Sequence, residues 1–119
     1  KSEGRAFNQR RCLAIADGFY EYTAPADPRA KRKDRWLFRP AGGGMIGIAA
    51  IWRDHPEVGE AFTLLTGEPG ADVRPFHHRQ IVLVPPERWS DWLDCSIPSR
   101  DLMAMTPPGQ LQVEPAPAA

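Results

Sequence analysis

The residues from Met45 to Trp52 read Met-Ile-Gly-Ile-Ala-Ala-Ile-Trp, an unbroken apolar run directly after Gly42-Gly43-Gly44. A run this short, rich in β-branched isoleucine, favours a strand over a helix. It falls far below the roughly 18–20 residues of a membrane span. A strand without polar alternation must be covered on both faces, so it predicts the buried centre of a sheet.

The other elements are arranged around that strand. From Arg10 to Tyr22 the chain is extended and half-buried. Leu13, Ile15, Phe19 and Glu21 share one parity; Ala14, Ala16, Tyr20 and Tyr22 share the other. Thr23 to Asp34 is polar, with Pro25, Pro28 and the cations Arg29, Lys31, Arg32 and Lys33, and reads as an exposed hairpin loop. Trp36–Arg39 forms a second strand, Ala61–Thr66 a fourth and Ile81–Val84 a fifth. Ala71–Phe76 fits one helical turn. Glu87–Leu93 fits a short amphipathic helix with Trp89, Trp92 and Leu93 on one face, and Ser99–Met105 a second short helix. Leu111–Val113 fits a last strand, followed by a loose Pro/Ala-rich tail.

Many short strands and few helices predict a β-rich α+β domain, a sandwich or open barrel of short strands with short peripheral helices. The chain of 119 residues suits one core. The expected division is one domain over 1–113 and a tail over 114–119. Thirteen prolines and ten glycines agree with short elements and many turns. Trp36, Trp52, Trp89 and Trp92 are core by pattern.

The formal net charge is zero, which argues against attachment to nucleic acid by bulk charge but leaves room for a local basic groove. Twelve of the fifteen cations are arginines, suited to bidentate phosphate contacts. A GC-rich genome gives the same bias. Arg29, Lys31, Arg32 and Lys33 read as a solvated loop rather than a groove. Cys12 and Cys95 lie far apart, as in a reduced cytoplasmic protein. No metal is expected: Cys12, Cys95, His55, His77 and His78 lack paired ligand spacing, and the adjacent histidines should point apart on a strand. No cofactor and no membrane partner are expected, and a monomer is.

Four stretches occur in order. Arg11-Cys12-Leu13 runs into Ala16-Asp17-Gly18-Phe19-Tyr20-Glu21-Tyr22, and Gly47-Ile48-Ala49-Ala50-Ile51-Trp52 follows. Phe62-Thr63-Leu64-Leu65-Thr66 then precedes Phe76-His77-His78-Arg79, and Glu87-Arg88-Trp89-Ser90-Asp91-Trp92-Leu93-Asp94 comes last. Together they resemble the SRAP family, the SOS-response-associated peptidase domains that trap abasic sites in DNA. The resemblance covers about Ser2 to Val113. Three positions depart from the family's pattern: Tyr22 stands for its Trp, His78 for its Asp and Ile81 for its Pro.

Glu21 shares its parity with apolar residues, and burial raises a carboxyl pKa toward the range of a general acid or base. The alternative is a structural Glu paired with a cation such as Arg79. The resemblance implies that Glu21 assists proton transfer as the abasic sugar opens, with His77 as the acid–base imidazole. It implies phosphate contacts from Arg11 and Arg79, with internal ion pairs as the alternative. Lys1 is similar to an Arg of the family and fits a further contact. Tyr22 fits base stacking.

The family's reaction, as the resemblance implies, uses a cysteine exposed at the mature amino terminus. Its amine takes the aldehyde of an abasic site as a Schiff base, and its thiol closes the adduct. Cys12 lies inside a strand with its amine in a peptide bond, so it cannot substitute. The sequence is therefore expected to begin within a longer protein whose Cys and Asn precede Lys1. The expected partner is single-stranded DNA with abasic sites. A binding-only relative and a self-processing cysteine-type peptidase are the competing expectations.

Overall fold

A computed structural model describes residues 10–116. Its organising element is β4, Ile46–His55, which carries the apolar run. Along one edge lies β1, Arg11–Ala16, antiparallel from Arg11↔Ile51 to Ala16↔Ile46. The other edge is shared. The outer half of β4 pairs with β5, Gly59–Leu64, through a hairpin from Ala50↔Leu64 to His55↔Gly59. The inner half pairs with β8, Leu83–Val84, at Gly47↔Val84 and Ile48↔Leu83.

The junction between those halves falls at Ala49. Ala49 N–H donates to Val82 O at 2.8 Å, Val82 N–H to Leu65 O at 2.9 Å, and Leu65 N–H to Ala49 O at 2.9 Å. Three buried residues thus close a ring of backbone bonds, which satisfies polar groups that no solvent reaches. Here β6, Thr66–Gly67, and β7, Gln80–Ile81, peel away as a two-stranded ribbon. The fourth and fifth strands of the sequence reading are each split at this junction.

The second sheet has the order β2-β3-β9, formed by Phe19–Thr23, Asp34–Pro40 and Leu111–Pro115. The break between β1 and β2 sits at Asp17-Gly18, where a Cβ on Gly18 would lie 2.6 Å from Phe38 O. Parity does not carry across that break. Ile15 is half-exposed on β1, while Phe19 stacks on buried Phe38 with ring centroids 5.1 Å apart.

Two clusters form the interior. Ala49, Leu65, Val82, Val84, Trp92 and Leu102 pack between the β4 sheet and α1, Trp89–Asp94. Gly47 admits Trp89 against the strand, since a Cβ there would meet the indole Nε1 at 2.5 Å. That Nε1 donates to Val84 O at 2.7 Å. Phe38, Val73 and Leu111 form the second cluster under the β2-β3-β9 sheet, with Trp36 and Phe76 against them.

The result is the expected strand-rich, open arrangement of short antiparallel sheets with one short helix. The details differ in three places. Leu93, assigned to the apolar helix face, is half-exposed. Ser99–Asp101 is a single 3-10 turn, because Pro98 precedes it and the chain straightens after Leu102. The last strand continues through Glu114 and Pro115, paired to Leu37 and Trp36, so the tail assigned over 114–119 begins inside a ladder. Among the described residues, no helix is long and apolar enough to cross a membrane.

Candidate functional site

Opposed residues in an antiparallel ladder share a face. Glu21 is opposite Trp36, and Phe19 opposite Phe38, so the carboxylate of β2 points to the interior side of its sheet. Its side chain is only 16% exposed. Burial pushes the carboxyl above its ordinary range, while charge on His77, and less so on His78, pulls it back.

The loop from Gly70 to Arg79 brings the imidazole to this carboxylate. Arg74 N–H reaches Gly70 O and His77 N–H reaches Val73 O, both at 3.0 Å, so the expected helical turn is present. Val73 is fully buried, and the Phe76 ring meets Trp36 at 5.0 Å and Phe38 edge-on at 5.3 Å. Those anchors sit beneath the strand that faces Glu21. The next residue, His77, consequently places Nε2 4.0 Å from Glu21 Oε1.

His77 Nδ1 lies 3.1 Å from Arg79 N and 3.0 Å from Arg79 O. The neutral ring with its proton on Nε2 accepts the Arg79 N–H; the protonated ring donates to the Arg79 carbonyl. One backbone unit therefore holds the same orientation in both charge states. His78 stacks on His77 with centroids 4.7 Å apart, a correction to the expected divergence, since the pair sits in a loop and not on a strand. Among the described residues no three His, Cys, Asp or Glu side chains converge to hold a metal.

Arg79 is exposed at the rim. Its Nη2 donates to both the carbonyl and the hydroxyl of Thr66 at 3.0 Å, and its other guanidinium nitrogens make no hydrogen bond among the described residues. Glu21 Oε1 lies 4.0 Å from His77 Nε2, and among the described residues no ion pair joins Glu21 to Arg79. Tyr22 alternates to the opposite face of β2, half-exposed, so it flanks the carboxylate without sharing its side.

Arg11 does not join this group. It is 5% exposed, its guanidinium lies 4.7 Å over the Trp92 ring, and Nη1 donates to Trp92 O at 3.4 Å. The expected phosphate contact is corrected to an interior brace between β1 and α1. Lys1 lies outside the described residues.

Gln80 was not singled out from sequence. Buried at 4% exposure, its amide oxygen accepts Gly70 N–H at 2.9 Å and its nitrogen donates to Thr106 Oγ1 at 2.8 Å. It closes the base of the loop that presents His77. Asp72 acts similarly, accepting the N–H groups of Gly109 and Leu111 at 3.1 Å and tying the loop to β9.

The strand-rich domain thus brings a shielded carboxylate on β2 and a loop imidazole face to face. The chain belongs to the family described as SOS response associated peptidase (SRAP), which matches residues 4–118. It is 26% identical over 133 residues to the abasic site processing protein HMCES of Gallus gallus, covering 91% of this chain and 38% of that one. A protein of known structure from Bordetella bronchiseptica superposes with a TM-score of 0.78 at 25% identity, covering 96% of this chain and 58% of that one. A protein from Bacteroides thetaiotaomicron superposes with a TM-score of 0.77 at 15% identity, with 93% and 51% covered, and shares the fold. The chain thus spans little more than a third of the curated relative's length and about half that of the solved structures.

Proposed function

We propose that this chain carries the proton-transfer half of an abasic-site-processing protein. Glu21 and His77 act on the ring-opened sugar in single-stranded DNA, and an amino-terminal cysteine elsewhere in the full protein supplies the covalent bond. The observation that carries this reading is the pairing of Glu21 Oε1 with His77 Nε2 at 4.0 Å, on a face shielded by Trp36 and Phe76. That separation exceeds a direct hydrogen bond, but an oxygen about 2.8 Å from each group completes a triangle with it. Both groups can therefore address one sugar oxygen.

The chemistry needs such a pair. Opening the sugar transfers a proton from its hydroxyl to a base and returns one to the ring oxygen. Schiff-base formation then needs an acid to protonate the departing hydroxyl of the carbinolamine, which leaves as water. Glu21, with its raised pKa, retains a proton closer to neutral pH than an exposed carboxyl does. His77 is held by Arg79 whether it has just given or just taken one. Arg79, exposed at the rim, fits a phosphate contact.

The test is incubation of the full-length gene product with an abasic-site oligonucleotide, followed by heating and a denaturing gel. A heat-stable shifted band that is lost or slowed in Glu21→Gln is expected. Release of an amino-terminal peptide without any DNA adduct would favour the peptidase reading instead.

A further inference from the structure

A second imidazole stands beside the Glu21–His77 pair. His78 is exposed on the loop, yet its ring lies on that of His77, the centroids 4.7 Å apart and the planes 22° from parallel. His77 is thereby constrained at both nitrogens and on one face. Its Nδ1 meets the Arg79 backbone, its Nε2 faces Glu21 Oε1 at 4.0 Å, and His78 covers the ring. Turning His77 away from Glu21 breaks the stack as well as the backbone contact.

The stack also brings charge to the carboxylate. Burial pushes the Glu21 carboxyl up, and charge on His77, then on His78, pulls it down. The other ionisable groups around the pair are engaged elsewhere. On the same loop Asp72 accepts the N–H groups of Gly109 and Leu111, and Arg74 Nη2 donates to Pro69 O at 3.3 Å. Arg79 Nη2 donates to Thr66 of β6. Just beyond β6, exposed Glu68 forms no ion pair among the described residues. Trp36 and Phe76, which shield the carboxylate, carry no charge. A merely solvated histidine would neither lie flat on its neighbour nor act on the carboxylate.

We infer that His78 is a positioning residue for the acid–base unit: its ring fixes the plane of His77, and its charge tunes the Glu21–His77 pair. A cation beside a carboxylate favours the ionised form, and an anion the protonated one. Position 78 is one of the three at which this chain departs from the family's pattern, so the tuning belongs to this chain. The inference rests on the functional reading above and deepens it. Glu21 and His77 move the protons, and His78 sets the conditions under which they do so.

The test is an NMR titration of the full-length gene product, labelled with carbon-13 at the glutamate carboxyls and histidine rings. Position 78 is exposed, so its variants leave the core intact. His78→Phe keeps a stacking face and removes the charge. The Glu21 midpoint rises in it, while the His77 signals stay sharp. His78→Lys keeps a charge and removes the ring. Its Glu21 midpoint stays near that of the wild type, while the His77 signals broaden. His78→Asp reverses the charge and gives the highest Glu21 midpoint of the series. High salt compresses these differences, because the charge is at the surface. In single-turnover crosslinking, the limb of the pH–rate profile governed by Glu21 moves in the same order. The inference is overturned if the Glu21 midpoint is the same throughout, if the Phe and Lys variants move it alike, or if His77 is as ordered in His78→Lys as in the wild type. Midpoints in the expected order without any wild-type crosslink to abasic-site DNA would sink the functional reading and leave the positioning by His78 standing. Wild-type crosslinking with unmoved midpoints would sink the role of His78 alone.

Discussion

The guanidinium of Arg11 lies 4.7 Å over the indole ring of Trp92, a side chain with no exposed surface. An arginine in a basic, extended segment is here an internal brace, packing its stem and planar head between β1 and α1. Trp92 returns a bond in the other direction, its Nε1 donating to Cys12 O at 2.8 Å.

Arg11→Ala removes that packing and leaves space around Trp92. Unfolding in urea should show a loss of about 2–3 kcal/mol. The salt dependence of DNA binding should not change, because the residue does not face solvent. A reduced salt slope with unaltered stability would instead return Arg11 to the DNA surface.

Gln80 holds the base of the His77 loop through Gly70 N–H and the Thr106 hydroxyl. Gln80→Ala strands both partners near the interior and should cost about 1–3 kcal/mol. The His77 ring resonances should broaden or shift in the same variant, since the loop that orients them is loosened. Stability loss with unmoved His77 signals would make Gln80 a purely local clamp.

Glu21 leads to a pH dependence whose sign is unusual for a carboxylate. Burial raises its folded pKa, so the folded chain keeps a proton that the unfolded chain has already released. Stability attributable to this group therefore falls as pH rises from about 4 through the raised value. Glu21→Gln cannot ionise. Thermal melts should show it gaining on the wild type from about pH 4 upward and then levelling off. A difference that is flat in pH would mean the carboxyl is not shifted in the folded state.

Much of the frame was legible because it depends on local pattern. The apolar run at Met45–Trp52 marked β4. The ordered motifs singled out Glu21 and His77, and the fold brings them together. What the sequence concealed depends on long-range closure. The split at Leu65 and Val82 exists only because both bond to Ala49, and nothing in either segment signals it. Arg11 was placed at the surface for a related reason. Charge says nothing of burial, and only the return of α1 over β1 decides that this arginine is enclosed, while the loop cations Arg29, Lys31, Arg32 and Lys33 are exposed as expected.

The account rests on Glu21 and His77 working as one acid–base unit. Its most direct test is the single-turnover rate of crosslink formation between the full-length gene product and abasic-site DNA, for wild type, Glu21→Gln, His77→Ala and the double variant. Each single variant should slow the reaction on the order of 10²-fold, the usual contribution of a positioned acid or base. The double variant should be little slower than either, as expected of residues that act together. Wild-type rates in Glu21→Gln, or losses that multiply in the double variant, would contradict it.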